Sequence, residues 1–340
     1  MGPPQTQAAT RRCDQITTAY VLRCVILMQP SEGAPTIERV LCALDVEHPI
    51  VGAISLAGLI ATRFDVPLEV LHVEASEGSG PLFQSRAHRV AELMASHNLG
   101  QRLDQLVVGR GGPESTTTRL SSGAPVAGIL DRSMVSDNDL IVLGARQRSD
   151  LGWQFRDDIA RQVSALAKCA TLTVHDRDRA DKVERILVPV DFGAVTDSAI
   201  AWALLFAQRF GAEVHVLHVV SREQQTKRSV EVSGKVTRSS SVPTHVSARS
   251  AELAAALVEA GIQATSDVVI AGGVVNGITD YNDRGEFDLL VLGLTGPPRG
   301  AARLTRGLAA TLRNRMSIPL LSVRQSASES PEAASGAAPR

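Results

Sequence analysis

The sequence predicts an α/β protein made of two tandem doubly wound domains, each a five-stranded parallel sheet flanked by helices. Three observations carry this. The chain repeats itself: Arg39-Val-Leu-Cys-Ala-Leu-Asp45 matches Arg185-Ile-Leu-Val-Pro-Val-Asp191, and Val70-Leu-His-Val73 matches Val216-Leu-His-Val219, both at an interval of 146 residues. Short apolar runs without alternation, Leu140–Leu143 and Leu289–Leu292, are too brief for surface helices and fit strands buried on both faces. Such runs alternate with helical patterns along each half, which implies right-handed crossovers onto a parallel sheet.

Taken in order, the first half places strands near 38–44, 68–73, 103–108, 139–143 and 170–174, and helices near 49–63, 85–97, 124–135 and 157–167. The second places strands near 184–190, 213–219, 264–270, 287–292 and 318–323, and helices near 195–210, 246–260, 274–283 and 303–315. Thr196 is the expected N-cap of a helix with a wide apolar face, and Gly211 its expected stop. The segment from Ser221 to Thr244 is polar, basic and serine-rich and reads as a solvated loop. The last strand of each half, near Thr171–Val174 and Ile318–Val323, is short, apolar and otherwise unpaired. An uncovered edge invites pairing, so the halves are expected to join there as an internal pseudo-twofold dimer.

The expected domains are 37–176 and 183–325, with 177–182 as a charged linker. Residues 1–36 are expected to be a disordered extension, or an upstream run ahead of a start at Met28. The Ala-, Ser-, Glu- and Pro-rich tail 326–340 cannot bury enough surface to order itself.

Composition narrows the function classes. The chain has 340 residues, 44% hydrophobic and 21% charged, which suits packed domains rather than disorder. A net charge of −1 gives it no general attraction for nucleic acid or acidic membranes. Cys13, Cys24, Cys42 and Cys169 form no CxxC pair, so neither a zinc site nor a disulfide framework is expected, and a reducing cytoplasm is the simplest setting. Tyr20–Met28 is apolar but too short to span a bilayer.

Chemistry is concentrated where Asp288-Leu-Leu-Val-Leu-Gly293 runs into Gly296 and then a helix, and where Asp139-Leu-Ile-Val-Leu-Gly144 repeats the pattern. A strand, a glycine loop and a helix N-terminus aim free N–H groups and a helix dipole at one point, which suits an anion. These segments, with Ile186-Leu-Val-Pro-Val-Asp191-Phe and Val216-Leu-His-Val219, resemble universal stress protein domains over about residues 37–325. The resemblance implies the adenine nucleotide alpha hydrolase-like fold. In nucleotide-binding members it also implies a Gly-x-x-Gly-x9-Gly-Ser/Thr phosphate pattern, an Asp ending the first strand, and a Val after the second-strand His. In the second half those positions are Asp191, Val219, Gly293 and Gly296, with Arg306 and Gly307 where the family has glycine and a hydroxyl residue. Arg306 could clamp phosphate oxygens or fill the pocket. Gly293 and Gly296 could also do no more than make the turn. In the first half, beside Asp45, Val73 and Gly144, Gln147 replaces the second glycine and Asp157 and Asp158 take the Gly–Ser positions. Those carboxylates satisfy the helix dipole themselves and repel phosphate.

The resemblance implies a cytoplasmic, non-enzymatic stress-response or regulatory module. Its implied ligand is ATP or a related adenine nucleotide in the second domain only, with no metal. An unknown protein partner and further homo-oligomerisation are also in keeping with it. Two alternatives stand beside this reading: a nucleotide-independent scaffold or dimerisation module, and a weak ATP-hydrolysing enzyme. Against the last, the chain has no Gly-x4-Gly-Lys-Ser/Thr. His72 and His218, inside apolar strands, read as satisfied core histidines.

Overall fold

The computed structural model describes residues 34–75, 86–108, 112–145, 157–222, 242–294 and 307–324, with the backbone alone at 86–96 and 157–158. The expected N-terminal extension to residue 33, the C-terminal tail, and most of the basic loop after Ser221 lie outside these residues.

The first half runs β1 (Val40–Ala43), α1 (Val51–Phe64), β2 (Leu68–Ala75), α2 (Arg86–Val107), β3 (Thr117–Gly123), α3 (Pro125–Val135), β4 (Leu140–Ala145), α4 (Asp157–Leu166) and β5 (Ala170–His175). The second runs β6 (Arg185–Pro189), α5 (Thr196–Phe210), β7 (Glu213–Ser221), α6 (Thr244–Glu259), β8 (Ala264–Ala271), α7 (Val274–Gly285), β9 (Leu289–Leu294), α8 (Leu308–Arg315) and β10 (Leu320–Arg324). Together they make one ten-stranded sheet in the order β3-β2-β1-β4-β5-β10-β9-β6-β7-β8. Pairing is parallel within each half, for example β1 with β2 and β4, and antiparallel where β5 meets β10, with Leu321 opposite Leu172.

One expected element is corrected. Residues 103–108 are not a strand; all but the last belong to α2, and the third strand of the first half is β3. Leu103, Leu106 and Val107 are spaced three and four apart, a helical stripe, and pack against the core on the side of β3. β3, Thr-Thr-Arg-Leu-Ser-Ser-Gly, is an edge strand exposed over most of its length, so no buried face marks it in the sequence.

Burial follows from the apolar runs. β1 and β5 are buried throughout, and so is β4 but for its half-buried Gly144. α1 lays Ile54, Leu56 and Ile60 on the sheet, each such side chain stabilising by roughly 1.5–3 kcal/mol. On this face a single core crosses both halves, with Val174 and Val323 among its members.

Each half is closed at the strands' N-terminal end by an aspartate whose role the sequence had not disclosed. Asp139 Oδ2 accepts the N–H groups of Glu38 (2.6 Å) and Arg39 (3.2 Å). Asp288 Oδ2, buried, accepts those of Glu184 (2.9 Å) and Arg185 (3.0 Å). The acid that opens β4 or β9 thus fixes the start of β1 or β6, about a hundred residues earlier.

The joint between halves is reciprocal. Arg63 lies over the ring of Phe210 at 5.8 Å, and Arg209 over that of Phe64 at 5.3 Å. The two phenylalanine rings are 6.4 Å apart. Arg324 of β10 donates to Ser164 O and Ala165 O at the C-terminus of α4, while Arg177 after β5 donates to Asn314 O and Met316 O at the C-terminus of α8. A cation at a helix C-terminus meets both the free carbonyls and the negative dipole end. Burial pushes the Arg324 pKa down, yet the carbonyls remain its partners.

Replacing Asp288 with Ala leaves two N–H groups without their charged acceptor. We expect a loss of roughly 2–3 kcal/mol, the scale of hydrogen bonds to charged groups, and a melting temperature lower by about 4–12 °C. Asp288→Asn, which keeps one acceptor oxygen, should lose less; urea unfolding of both variants checks the order.

Candidate functional site

In open α/β sheets ligands sit beyond the carboxyl ends of the strands where the strand order reverses. In the second half that point lies between β6 and β9. Here the two strands pair only at Ile186–Leu289 and Leu187–Leu290, whereas β1 and β4 pair over four positions, Val40 to Ala43. Pro189 is the cause. Val190 N–H donates to Leu217 O of β7, so its neighbour Pro189 faces β9, where it has no N–H to give. The matching Ala43 pairs with Leu143. In the sequence Pro189 is one position of the repeat, and nothing there marks this effect.

Val219 borders the same opening. Glu213 N–H donates to Glu184 O, and Leu217 O accepts from Val190 N–H, so the odd-numbered residues of β7 turn their main chain toward β6. Val219 follows in that register, past the point where β6 has left the sheet. Its N–H and C=O therefore point into the opening. Its side chain is buried on the other face against Gly277 of α7, where an added Cβ would come within 2.5 Å of Val219 Cγ1. Gly128 stands against Val73 in the same way.

Asp191 lies exposed at the end of β6. Its Oδ1 accepts from Gly193 N–H (2.8 Å) and from the Thr196 hydroxyl (3.4 Å). Thr196 is consequently the first residue of α5 rather than its N-cap; Val195 takes that place without a side-chain cap. Gly211 ends α5 with φ 70°, as expected. Between Asp191 and Gly193, Phe192 holds φ 57°, a left-handed conformation unusual for an aromatic residue. Its ring stacks on His218 at 4.7 Å and carries Arg249 at 4.9 Å, so the strain is held by packing. His218 Nδ1 donates to Val190 O at 2.8 Å, and His72 Nδ1 lies 3.0 Å from Leu44 O. Both histidines are thus tied to the main chain at the end of the neighbouring strand.

Gly293 departs from its expected role. It lies inside β9, has no positive φ, and does not make the turn. A Cβ there would meet Val195 Cγ2 at 2.7 Å and Val195 O at 3.0 Å. The glycine lets the start of α5 approach the sheet, and Gly144 does the same for Ile50. Gly307 is the N-cap of α8, exposed, with open space where a side chain would be. The structure therefore brings Asp191, Val219, Gly293 and Gly307 to elements that meet at one end of the second half. Gly296, Arg306 and Gln147 lie outside the described residues, and Asp157 and Asp158 open α4. Burial pushes the Cys42 thiol up to about 12, and desolvation does the same for the half-buried Cys169, so neither ionises readily.

The universal stress protein family model matches residues 36–175 and again 182–324. The chain belongs to the universal stress protein family. Solved structures agree on the fold. A universal stress protein from Archaeoglobus fulgidus DSM 4304 is 15% identical, with a TM-score of 0.63, over 84% of this chain and 96% of that one. A putative universal stress protein from Pseudomonas aeruginosa UCBPP-PA14 is 16% identical with a TM-score of 0.53, covering 86% and 95%. A functionally unknown protein from Pseudomonas aeruginosa PAO1 is 16% identical with a TM-score of 0.51, covering 86% and 94%. No curated protein matches the sequence. Among the described residues, no helix is long and apolar enough to cross a membrane, and no group of three or more His, Cys, Asp or Glu could hold a metal ion.

Gly293→Ala should destabilise by about 1–3 kcal/mol, the range for overpacking, because backbone as well as side chain stands in the way. Gly307→Ala meets nothing in the space beside it, so it should cost only about 0.5–1 kcal/mol, the amount by which glycine outranks alanine as an N-cap. Thermal melts of the two variants side by side separate close approach from loop-making.

Proposed function

We propose that this universal stress protein is a non-enzymatic regulatory module that senses ATP or a related adenine nucleotide through its second half alone. The observation that supports it most is the opening between β6 and β9. There Pro189 withholds a ladder hydrogen bond, and the main chain of Val219 is left facing the gap. A purine edge carries both a donor and an acceptor, and an adjacent N–H and C=O match it. Asp191 stands at the rim, and the uncapped N-terminus of α8 at Gly307 supplies the N–H groups and dipole that suit phosphate. The first half keeps full pairing between β1 and β4 and opens α4 with two aspartates, which favours neither base nor phosphate.

Calorimetry with ATP tests this. The wild-type protein should bind one equivalent. Gly296→Asp should abolish binding by placing a carboxylate in the phosphate pattern. Arg306→Ala should weaken it by about tenfold or more if the guanidinium grips phosphate, as expected for a charged hydrogen bond. Gly307→Ser should strengthen it, since it restores the family's hydroxyl at a position with room for it. Gln147→Gly should change nothing. A nucleotide-independent scaffold is the second reading, favoured by Gly293, whose packing on Val195 accounts for it without a ligand. A protein that gives no heat with ATP and carries no nucleotide through purification would establish that reading instead.

A further inference from the structure

A cleft of about 380 Å³ lies between edge strand β3 and helix α3, on the half that is poorest in phosphate-binding features. Its floor is apolar, with Leu71, Ala127 and Gly128. Its rim is polar, with Arg119, Arg132 and Asp131 beside Ser121 and Ser122.

The two arginines are prearranged. Glu69, mostly buried beneath them, accepts from Arg119 Nε at 2.7 Å and from Arg132 through Nε (2.9 Å) and Nη2 (2.8 Å). Each guanidinium is held on one side by the Glu69 carboxylate and keeps N–H groups that Glu69 does not use. Asp131 makes no hydrogen bond or ion pair with any described residue, and neither do the two serine hydroxyls. Among the described residues the second half has no such arrangement. Strand register places Asp267 where Arg119 stands, since Leu217 pairs with Asp267 as Leu71 pairs with Arg119. Tyr281, four residues after Gly277 as Arg132 is four after Gly128, donates its hydroxyl to Asp267 and stacks on Phe287. There the polar groups satisfy one another. A second cavity, about 490 Å³ at the N-terminal end of β7 and β8, is similarly committed, with His215 bonded to Thr265 at 2.9 Å.

Charge selects the ligand. Two guanidinium groups against Glu69 and Asp131 leave the cleft with no net charge. A phosphate dianion gains from the arginines but meets two carboxylates. A dipolar molecule places its carboxylate on the arginines and its ammonium on Asp131, so each of its charges finds the opposite one. The geometry points to a binding site for a small α-amino acid in this cleft, distinct from and independent of the nucleotide reading.

Calorimetry of the full chain with glycine, L-serine and L-leucine, and with acetate, methylammonium and inorganic phosphate, tests it. At least one amino acid should bind saturably, and at least tenfold tighter than acetate or methylammonium. Asp131→Asn should weaken the amino acid by tenfold or more and improve acetate; Arg119→Gln should weaken both. Both residues are well exposed, and an unchanged melting temperature confirms that each variant folds. The inference is overturned if no amino acid binds, if phosphate binds tighter than every amino acid, or if neither substitution alters amino-acid binding.

Discussion

The antiparallel pairing of β5 with β10 is the contact on which the rest of the molecule depends. A five-stranded parallel sheet ending in an apolar edge is incomplete, because that edge presents unpaired N–H and C=O groups as well as apolar side chains. Joining two such edges removes both at once and makes the core on one face continuous from half to half. Every reciprocal contact follows from the local twofold this creates: Arg63 and Arg209 across the phenylalanine rings, Arg177 and Arg324 on the opposing helix ends. What remains at the outer limits of the sheet is β3 and β8, whose exposed threonines, serines and charges suit an edge left to water.

The repeat separates what the fold requires from what each half does. Features present in both copies are structural: the aspartate that gathers the first strand, the histidine bonded to the carbonyl after it, the glycine under the valine. Features present in one copy are where function is to be sought. In the second half these are Pro189 and the Arg249–Phe192–His218 stack. In the first they are Arg119, Arg132 and Asp131 around the cleft. The two halves therefore share a skeleton and differ at two places, the carboxyl end of the central strands and the sheet's outer edge.

Most of the fold was legible in the sequence because buried parallel strands announce themselves as short apolar runs, and because the repeat supplied each such strand twice. β3 was not, since a strand wet on both faces has no hydrophobic pattern; its polar residues read as loop, while the apolar stripe of α2 just before it read as strand. Its counterpart β8 was found because Val268, Val269 and Ile270 give it a β-branched run. At the site, the positions of Asp191, Val219 and Gly293 were visible, but their uses were not. Whether a glycine serves a turn or a close approach depends on Val195, a hundred residues earlier in the chain. The effect of Pro189 depends on which neighbour that residue faces, and only the register of three strands decides it.

The seam also sets a schedule. β5 is complete at His175, but β10, which covers it, begins at Leu320, near the end of the described chain. At ordinary rates of synthesis the ribosome needs roughly ten to thirty seconds to make the intervening stretch. A first half that folds as it is made would spend that interval with its apolar edge uncovered, and a matching edge would be at hand on another copy of the same nascent protein. Crowded translation of one message would then favour halves exchanged between chains, a molecule of the same local structure and twice the mass.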